Sequence, residues 1–148
     1  MTSQLQLQRA QRGALSVARK LAMQALYQWQ LNVVPWQDLI SEFSAAEEMR
    51  KADAEYFGEL VRNAVQMNAE LDQKLADYLD RKPALLDPIE HAVLLIAMYE
   101  LCERPDVPFR VVVDQAVSLA RRFGAVDGHR YVNAVLDRAA RQLRPNEH

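Results

Sequence analysis

The sequence is poor in the residues that most enzyme motifs require. Its four glycines, Gly13, Gly58, Gly124 and Gly128, are spaced too widely to build a P-loop or a GxGxxG turn. The nucleophile motif GxSxG and the zinc motif HExxH are also absent, and the three histidines lie far apart. These absences favour a protein that is not an enzyme and needs no metal or cofactor.

Cysteine and long apolar runs are equally scarce. The single cysteine, Cys102, excludes an internal disulfide and a cysteine-based zinc site. The longest apolar run, residues 92–99, is far short of the ~20 residues that span a membrane. The N-terminus lacks the apolar core of a secretory signal. With half of the 148 residues hydrophobic and 26% charged, a cytoplasmic globular protein is expected.

Charge is distributed unevenly along the chain, although the net charge is only −2. Residues 1–20 carry +4 and no acid, residues 37–80 carry −7, and residues 107–148 carry +3. Basic ends on both sides of an acidic middle fit an anion-binding surface. They equally fit scattered charge that keeps the protein in solution.

Apolar spacing predicts seven helices and no strand, so the fold class is all-α. The Val111–Val113 triplet alone would suit a strand, but the apolar positions continue at helical spacing to Phe123, which we place on the core face. Before the fifth helix, Asp87 fits the N-cap and Glu90 the capping-box position. The run that follows is apolar all round, which is typical of a central helix.

The end of the sixth helix and the start of the seventh carry a second set of signals. Gly124 fits the left-handed position that closes a helix. Asp127 fits the N-cap of the seventh helix, and a ligand contact is the alternative role for its carboxylate.

Two helix surfaces are not explained by the core. On the first helix, Tyr27 and Leu31 lie opposite the alanine face, with Met23 close by. They pack either against another helix or against a protein partner, for which tyrosine is well suited. On the seventh helix, Tyr131 is expected to be half exposed among arginines. An aromatic ring among guanidinium groups suits single-stranded RNA, and an ordinary amphipathic edge is the alternative.

Three blocks of the sequence resemble one family in the right order. The blocks are AMQALYQWQL, DPIEHAVLLIAMYEL and DVPFRVVVDQAVSLARRFGAVDGHRYVNAVLDRAA. They closely resemble the NusB family of transcription antitermination factors, and the likeness covers roughly residues 14–146. It implies two small three-helix-type bundles plus a seventh helix, and no catalysis. It predicts a flexible basic arm over residues 1–13 and a single RNA-binding domain over 14–146.

The resemblance also implies partners. NusB-like proteins pair with NusE, a small-subunit ribosomal protein, and bind the boxA element of nascent ribosomal RNA transcripts within an antitermination complex of RNA polymerase. By position, the NusE-facing residues are Tyr27, Leu31 and Glu90. The RNA-facing residues are Asp127, Arg130 and Tyr131, near a basic first helix that carries Arg9, Arg12, Arg19 and Lys20.

One departure from the family lies in the first helix. An arginine-rich run is replaced here by Leu15, Ser16 and Val17. We therefore expect weak RNA binding without NusE and a shallow salt dependence, since each neutralised phosphate of a single strand contributes ~0.7 to the slope.

Two alternatives remain open at this point. One is a helical adaptor that binds only proteins. The other is the RNA-binding lobe of a ribosomal RNA cytosine methyltransferase, which the start at Met1 and the lack of a cofactor domain disfavour. Monomer and homodimer both remain open.

Overall fold

The computed structural model describes residues 3–147, and this part of the chain is helical with no strand. The prediction of an all-α fold with seven helices is confirmed. No helix among these residues is long and apolar enough to span a membrane. Three short 3-10 helices, Glu47–Lys51, Pro83–Leu85 and Pro145–Glu147, accompany the main helices. The seven main helices are α1 (Gln4–Leu31), α2 (Trp36–Ser44), α3 (Ala54–Gln66), α4 (Asn68–Ala76), α5 (Pro88–Glu103), α6 (Phe109–Phe123) and α7 (Gly128–Leu143).

The chain forms two compact units, one up to Arg62 and the other from Asn63 onward. We call them the N-terminal and the C-terminal unit. The single domain over residues 14–146 stays a prediction.

Helix α1 starts earlier than the sequence indicated. Ser3 and Gln6 form a capping box, in which the Gln6 N–H donates to Ser3 Oγ at 3.1 Å and the Ser3 N–H donates to Gln6 Oε1 at 2.9 Å. Residues 4–13, where we expected a flexible arm, are therefore helical in the structure, and all are exposed. The cap satisfies N–H groups that an uncapped helix start would leave to water.

The core of the N-terminal unit follows the predicted alanine face of α1. Ala18, Ala22 and Ala25 are fully buried. Met23, expected near the outer side, is buried as well, because α1 buries a wider arc than the alanine face alone. Phe43 of α2 and Phe57 of α3 pack with ring centroids 5.9 Å apart.

Helix α5 lies at the centre of the C-terminal unit, where it contacts α4, α6 and α7. Its start confirms the predicted cap, because Asp87 Oδ1 accepts the N–H groups of Ile89 at 3.0 Å and Glu90 at 3.2 Å. Every residue from Ala92 to Leu101 is buried, as expected for a helix that is apolar nearly all round.

A buried arginine ties α7 to the end of α5. The Arg144 guanidinium pairs with the Glu147 carboxylate, whose other oxygen accepts the N–H of Phe109 at 3.1 Å, at the start of α6. Arg144 thus links α5, α6 and α7. It also donates to four backbone carbonyls at 2.9–3.1 Å, those of Glu100, Leu101, Arg104 and Val107.

The turn from α6 to α7 corrects two expectations. Gly124 has an extended backbone (φ −85°, ψ −176°) instead of a left-handed one. Its lack of a side chain still matters, because a Cβ there would lie 2.7 Å from the Ala120 carbonyl oxygen. Phe123 is partly exposed, with the Arg122 guanidinium 4.8 Å from its ring centroid, and so lies outside the core where we had placed it.

Candidate nucleic-acid interface

Tyr131 lies on α7 and is half-buried, as predicted. Its hydroxyl donates to Asp80 Oδ1 at 2.9 Å and accepts the Asp80 backbone N–H at 3.4 Å. Burial raises the pKa of Tyr131 above its ordinary value, which already keeps the phenol neutral at neutral pH. The hydroxyl is therefore fixed from two sides by one residue, which limits rotation of the ring.

The neighbouring Arg81 covers the ring of Tyr131. Its guanidinium carbon lies 4.8 Å from the ring centroid, which is cation–π geometry. The same guanidinium donates to both oxygens of Asp80, at 2.7 and 3.1 Å. The hydrogen bonds from Arg81, followed by that from Tyr131, lower the pKa of Asp80 to about 2. The aromatic ring and a guanidinium plane thus form one ordered stack at the protein surface.

Helix α7 holds the segment that carries this stack. Arg138, two turns after Tyr131, donates to the Tyr78 carbonyl at 2.5 Å. The Tyr78 hydroxyl donates to Gln142 one turn further on, at 3.1 Å. Residues 78–81 are thereby fastened along α7, and we call the group of Asp80, Arg81 and Tyr131 the tyrosine cluster.

Sequence reasoning missed Asp80 and Arg81. Their contacts with Tyr131 span about fifty residues, so no helical spacing relates them. The only signal in the sequence was that Asp80 and Arg81 form an acid–base pair in a break between helices. Such pairs are common in turns that have no binding function.

Asp127 occupies the N-cap position of α7, but its side chain makes no cap hydrogen bond. Its backbone is left-handed (φ 64°, ψ 3°), the one positive φ among non-glycine residues of the described chain. Asp127 thus holds the predicted N-cap position without the cap hydrogen bond. The left-handed backbone that was expected at Gly124 occurs at Asp127 instead. Aspartate tolerates this conformation better than most residues. The exposed carboxylate lies 3.7 Å from the Arg130 guanidinium.

The Glu90 side chain is only 7% exposed, which is less than expected for a residue on an open partner-binding surface. Its carboxylate does not close a capping box. Instead, Oε2 accepts the N–H of Ala125 in the α6–α7 loop at 3.3 Å. Burial raises the pKa of Glu90, the Ala125 N–H opposes that rise, and Asp87 adds to it. Gly128 leaves room for the carboxylate, since a Cβ there would lie 2.7 Å from Glu90 Cδ.

The basic residues of α1 divide into two pairs. Arg9 and Arg12 are exposed. Arg19 is only 3% exposed and lies over the Tyr56 ring, 5.6 Å from its centroid. Lys20 is mostly buried and pairs with Glu48. Buried or paired cations present less charge to a phosphate than exposed ones, and a role of Arg19 and Lys20 in RNA binding stays a prediction.

Tyr27 and Leu31 remain exposed on the outer side of α1, at 37% and 55%. They lie one helical turn apart, so they form one apolar strip on the surface of the N-terminal unit. We call this pair the α1 strip.

The predicted site residues divide between the two units. The N-terminal unit carries the basic residues of α1 and the α1 strip. The C-terminal unit brings together Asp127 with Arg130, and Tyr131 with the two residues that sequence reasoning missed. Among residues 3–147, no group of three or more His, Cys, Asp or Glu side chains could hold a metal ion.

The fold is similar to two solved structures. That of T. maritima NusB matches with a TM-score of 0.78 and 24% identity, covering 89% of this chain and 94% of that one. A crystal structure of antitermination factors NusB and NusE in complex with dsRNA matches with a TM-score of 0.70 and 24% identity, covering 90% and 98%. The architecture is thus that of the all-helical NusB-like proteins.

Sequence comparison is more specific. The transcription antitermination protein NusB of Pseudoalteromonas atlantica is 47% identical over 130 residues, which cover 88% of this chain and 93% of the relative. That of Idiomarina loihiensis is 48% identical over 128 residues, covering 86% and 92%. The model of the NusB family matches residues 16–141. The chain belongs to the NusB family, as its resemblance predicted.

Proposed function

We propose that this protein is a cytoplasmic transcription antitermination factor. Together with NusE it binds the boxA element of nascent ribosomal RNA transcripts and helps RNA polymerase resist termination. The tyrosine cluster is the observation that carries the RNA-binding part of this proposal. Its ring and guanidinium offer flat surfaces for bases.

Relatives and neighbours support the same proposal. The relatives that cover most of this chain are named transcription antitermination proteins, and this agrees with a function that is not enzymatic. One neighbour of the same fold was solved with NusE and dsRNA.

On the RNA side, the C-terminal unit supplies stacking and charge close together. Arg130 is exposed one residue before Tyr131, and Arg81 lies on the Tyr131 ring. A base can stack on the guanidinium plane or the free part of the ring while Arg130 meets a phosphate. Asp127 lies directly before α7, and its exposed carboxylate is 3.7 Å from the Arg130 guanidinium, so it belongs to the same surface.

On the protein side, the α1 strip is the contact that we propose for NusE. A tyrosine and a leucine on one exposed helix face combine apolar area with a polar hydroxyl, as interface cores often do. The strip is separate in sequence from the RNA-binding residues of α7, so the two contacts can be tested apart.

The protein alone should bind RNA weakly. With Arg19 buried and Lys20 paired, Arg9 and Arg12 are the exposed cations of α1 that remain from the predicted set. Fewer phosphate contacts lower the affinity and flatten its salt dependence. NusE is expected to supply the missing contacts.

The test is fluorescence anisotropy of a labelled boxA single strand, titrated with this protein alone and with equimolar NusE. A scrambled strand and a boxA duplex are run beside it. Tight binding of the boxA strand by the mixture, and weak binding by the protein alone, is the expected result. Equal binding of boxA and scrambled strands would contradict the proposal and favour the protein-only adaptor.

The methyltransferase alternative is not favoured. The curated relatives, covered over 92% and 93% of their length, are named antitermination proteins.

A further inference from the structure

Within the tyrosine cluster, Asp80 and Arg81 form an exposed ion pair between adjacent residues. The Arg81 guanidinium donates through Nε to Asp80 Oδ1 at 2.7 Å and through Nη2 to Asp80 Oδ2 at 3.1 Å. The Asp80 side chain is 64% exposed and the Arg81 side chain 46%, so a ligand can reach both from solvent. Salt and water screen such a pair, and it opens easily.

The geometry of this pair is the geometry in which arginine binds phosphate. Two parallel N–H groups of the guanidinium donate to two oxygens of one anion. Arginine binds a carboxylate and the free oxygens of a phosphate in the same bidentate way. The Asp80 carboxylate thus occupies the place on Arg81 at which a phosphate would bind, and a phosphate can replace it without moving the guanidinium.

The Tyr131 ring holds the Arg81 guanidinium in position. The guanidinium carbon lies 4.8 Å from the ring centroid, and the donors on its edge remain free to bind an anion beside the ring. The Tyr131 hydroxyl also accepts the Asp80 backbone N–H at 3.4 Å, a hydrogen bond that does not involve the carboxylate. A nucleotide whose base stacks on this platform therefore brings a phosphate close to Arg81.

We propose that Arg81 binds a phosphate of the boxA strand, and that the Asp80 carboxylate occupies this phosphate position in the RNA-free protein. This inference rests on the proposed function and adds a phosphate site to its base platform. RNA binding exchanges one anion for another. The phosphate takes both guanidinium donors, and the Asp80 carboxylate turns to solvent.

The exchange gives Asp80 an effect opposite to that of an ordinary contact residue. The hydrogen bonds from Arg81, followed by that from Tyr131, hold the pKa of Asp80 at about 2, so the competing anion is present at neutral pH. After the exchange the carboxylate stays near the bound phosphate, and the two negative charges repel each other. Asp80 therefore weakens RNA binding.

Asp80→Asn tests this competition. The substitution keeps the size of the side chain and an oxygen that accepts from the Tyr131 hydroxyl, but it removes the negative charge. Asp77→Asn is the matched control, because it removes the same charge from an exposed position three residues earlier. Binding of labelled boxA RNA with saturating NusE is measured by fluorescence anisotropy, and the melting temperature is measured for each variant.

Asp80→Asn should bind boxA RNA about fivefold more tightly, the effect of removing a like charge at ~4 Å in water. Its melting temperature should fall slightly, because the pair with Arg81 is lost. Asp77→Asn should stay within about twofold of the parent protein, because salt screens a charge outside the contact. Weaker or unchanged RNA binding by Asp80→Asn would overturn the proposal, since Asp80 would then only orient Tyr131. An equal gain for Asp77→Asn would overturn it too.

Arg81→Ala tests the phosphate site itself. A phosphate contact carries no sequence information, so this variant should weaken binding of boxA and scrambled strands by the same factor. The slope of log affinity against log salt should fall by about 0.7, the contribution of one phosphate of a single strand. Arg81→Lys keeps the charge and should retain most of the slope. Arg141→Ala, which removes another exposed arginine, should leave the slope unchanged.

A loss confined to the boxA strand would contradict the phosphate site, because it would mean that Arg81 contacts only a base. A double-mutant cycle gives the last comparison. In the Arg81→Ala background, Asp80→Asn should increase RNA affinity much less, because the carboxylate has no guanidinium for which to compete. Equal gains in both backgrounds would mean general repulsion and would overturn the proposal.

Failure of the proposed function has a different signature. If the mixture with NusE does not prefer boxA over the scrambled strand, the proposed function fails. The salt slope measured with the scrambled strand then still decides whether Arg81 binds a phosphate, because that contact does not depend on sequence.

Discussion

The Tyr131 hydroxyl donates to Asp80 at 2.9 Å and thereby joins two residues that lie 51 positions apart. The bond places an aromatic ring of α7 against a loop that precedes α5, with Arg81 stacked on the ring. The C-terminal unit thus builds its proposed base platform from two segments, and each part of the platform can be removed separately.

Removing the ring tests base stacking. Tyr131→Ala should weaken boxA binding by about 1–3 kcal/mol, the usual contribution of a stacked aromatic ring. Tyr131→Phe keeps the ring and should lose much less. Anisotropy with saturating NusE measures both. An equal loss of RNA and NusE binding by Tyr131→Ala would indicate a folding defect instead.

Acid should weaken the tyrosine cluster. The pKa of Asp80 is lowered to about 2, below the ordinary ~4 of an unfolded chain. The stabilising contribution of the ionised Asp80 carboxylate is therefore complete above pH ~4 and is lost as the pH falls towards 2. The free energies of unfolding of the parent protein and of Asp80→Asn, measured by denaturation, should differ at neutral pH. This difference should shrink on acidification. A difference that is constant with pH would contradict the assignment.

The α1 strip should bind NusE without supporting the fold. Because Tyr27 is exposed, Tyr27→Asp should weaken NusE binding with little change in melting temperature. Leu5→Asp is a suitable control, as it charges another exposed apolar position of the same helix. A large drop in melting temperature for Tyr27→Asp would instead assign Tyr27 to packing.

Arg144 should be among the most sensitive positions for stability. Arg144→Ala leaves the carbonyls at the end of α5 without their donor and breaks the pair with Glu147, so we expect a loss of roughly 2–4 kcal/mol in unfolding free energy. Arg141→Ala, which removes an exposed i,i+4 pair with Asp137, should cost at most about 0.5 kcal/mol. Urea denaturation of both variants gives the comparison.

The exposed start of α1 should contribute to the salt dependence of RNA binding. Replacing both Arg9 and Arg12 by alanine should reduce the slope of log affinity against log salt by about 1.4, if each meets one phosphate. Replacing Arg19, which is buried, should change stability more than slope. An unchanged slope in the double variant would show that residues 4–13 do not contact the RNA phosphates.

Elements with local signals were predictable from the sequence. Helical spacing identified the seven helices, and the Asp87–Pro88 pair located the start of α5. The exposure of Tyr27 followed from its angle on the helix. In each case the residues that decide the outcome lie within a turn or two of one another.

Features that depend on distant residues were not predictable. The sequence predicted that Glu90 is a capping-box acid, because the sequence does not show that Glu90 lies close to the α6–α7 loop in the fold. Arg19 looked like a surface cation, since spacing alone does not reveal that Tyr56 covers it. The extended backbone of Gly124 and the left-handed backbone of Asp127 belong to a loop that also contacts Glu90 of another helix, and the sequence does not reveal that contact.

The loop between α6 and α7 also offers a place for a reporter. Val126 is 94% exposed, while its neighbours are constrained by close contacts or by backbone conformation. The single native thiol, Cys102, is half-buried, and burial raises its pKa, so little of it is thiolate at neutral pH. A Val126→Cys variant should therefore accept a thiol-reactive dye ahead of Cys102. The dye would lie next to Asp127, and its fluorescence would report RNA binding in real time from the protein side.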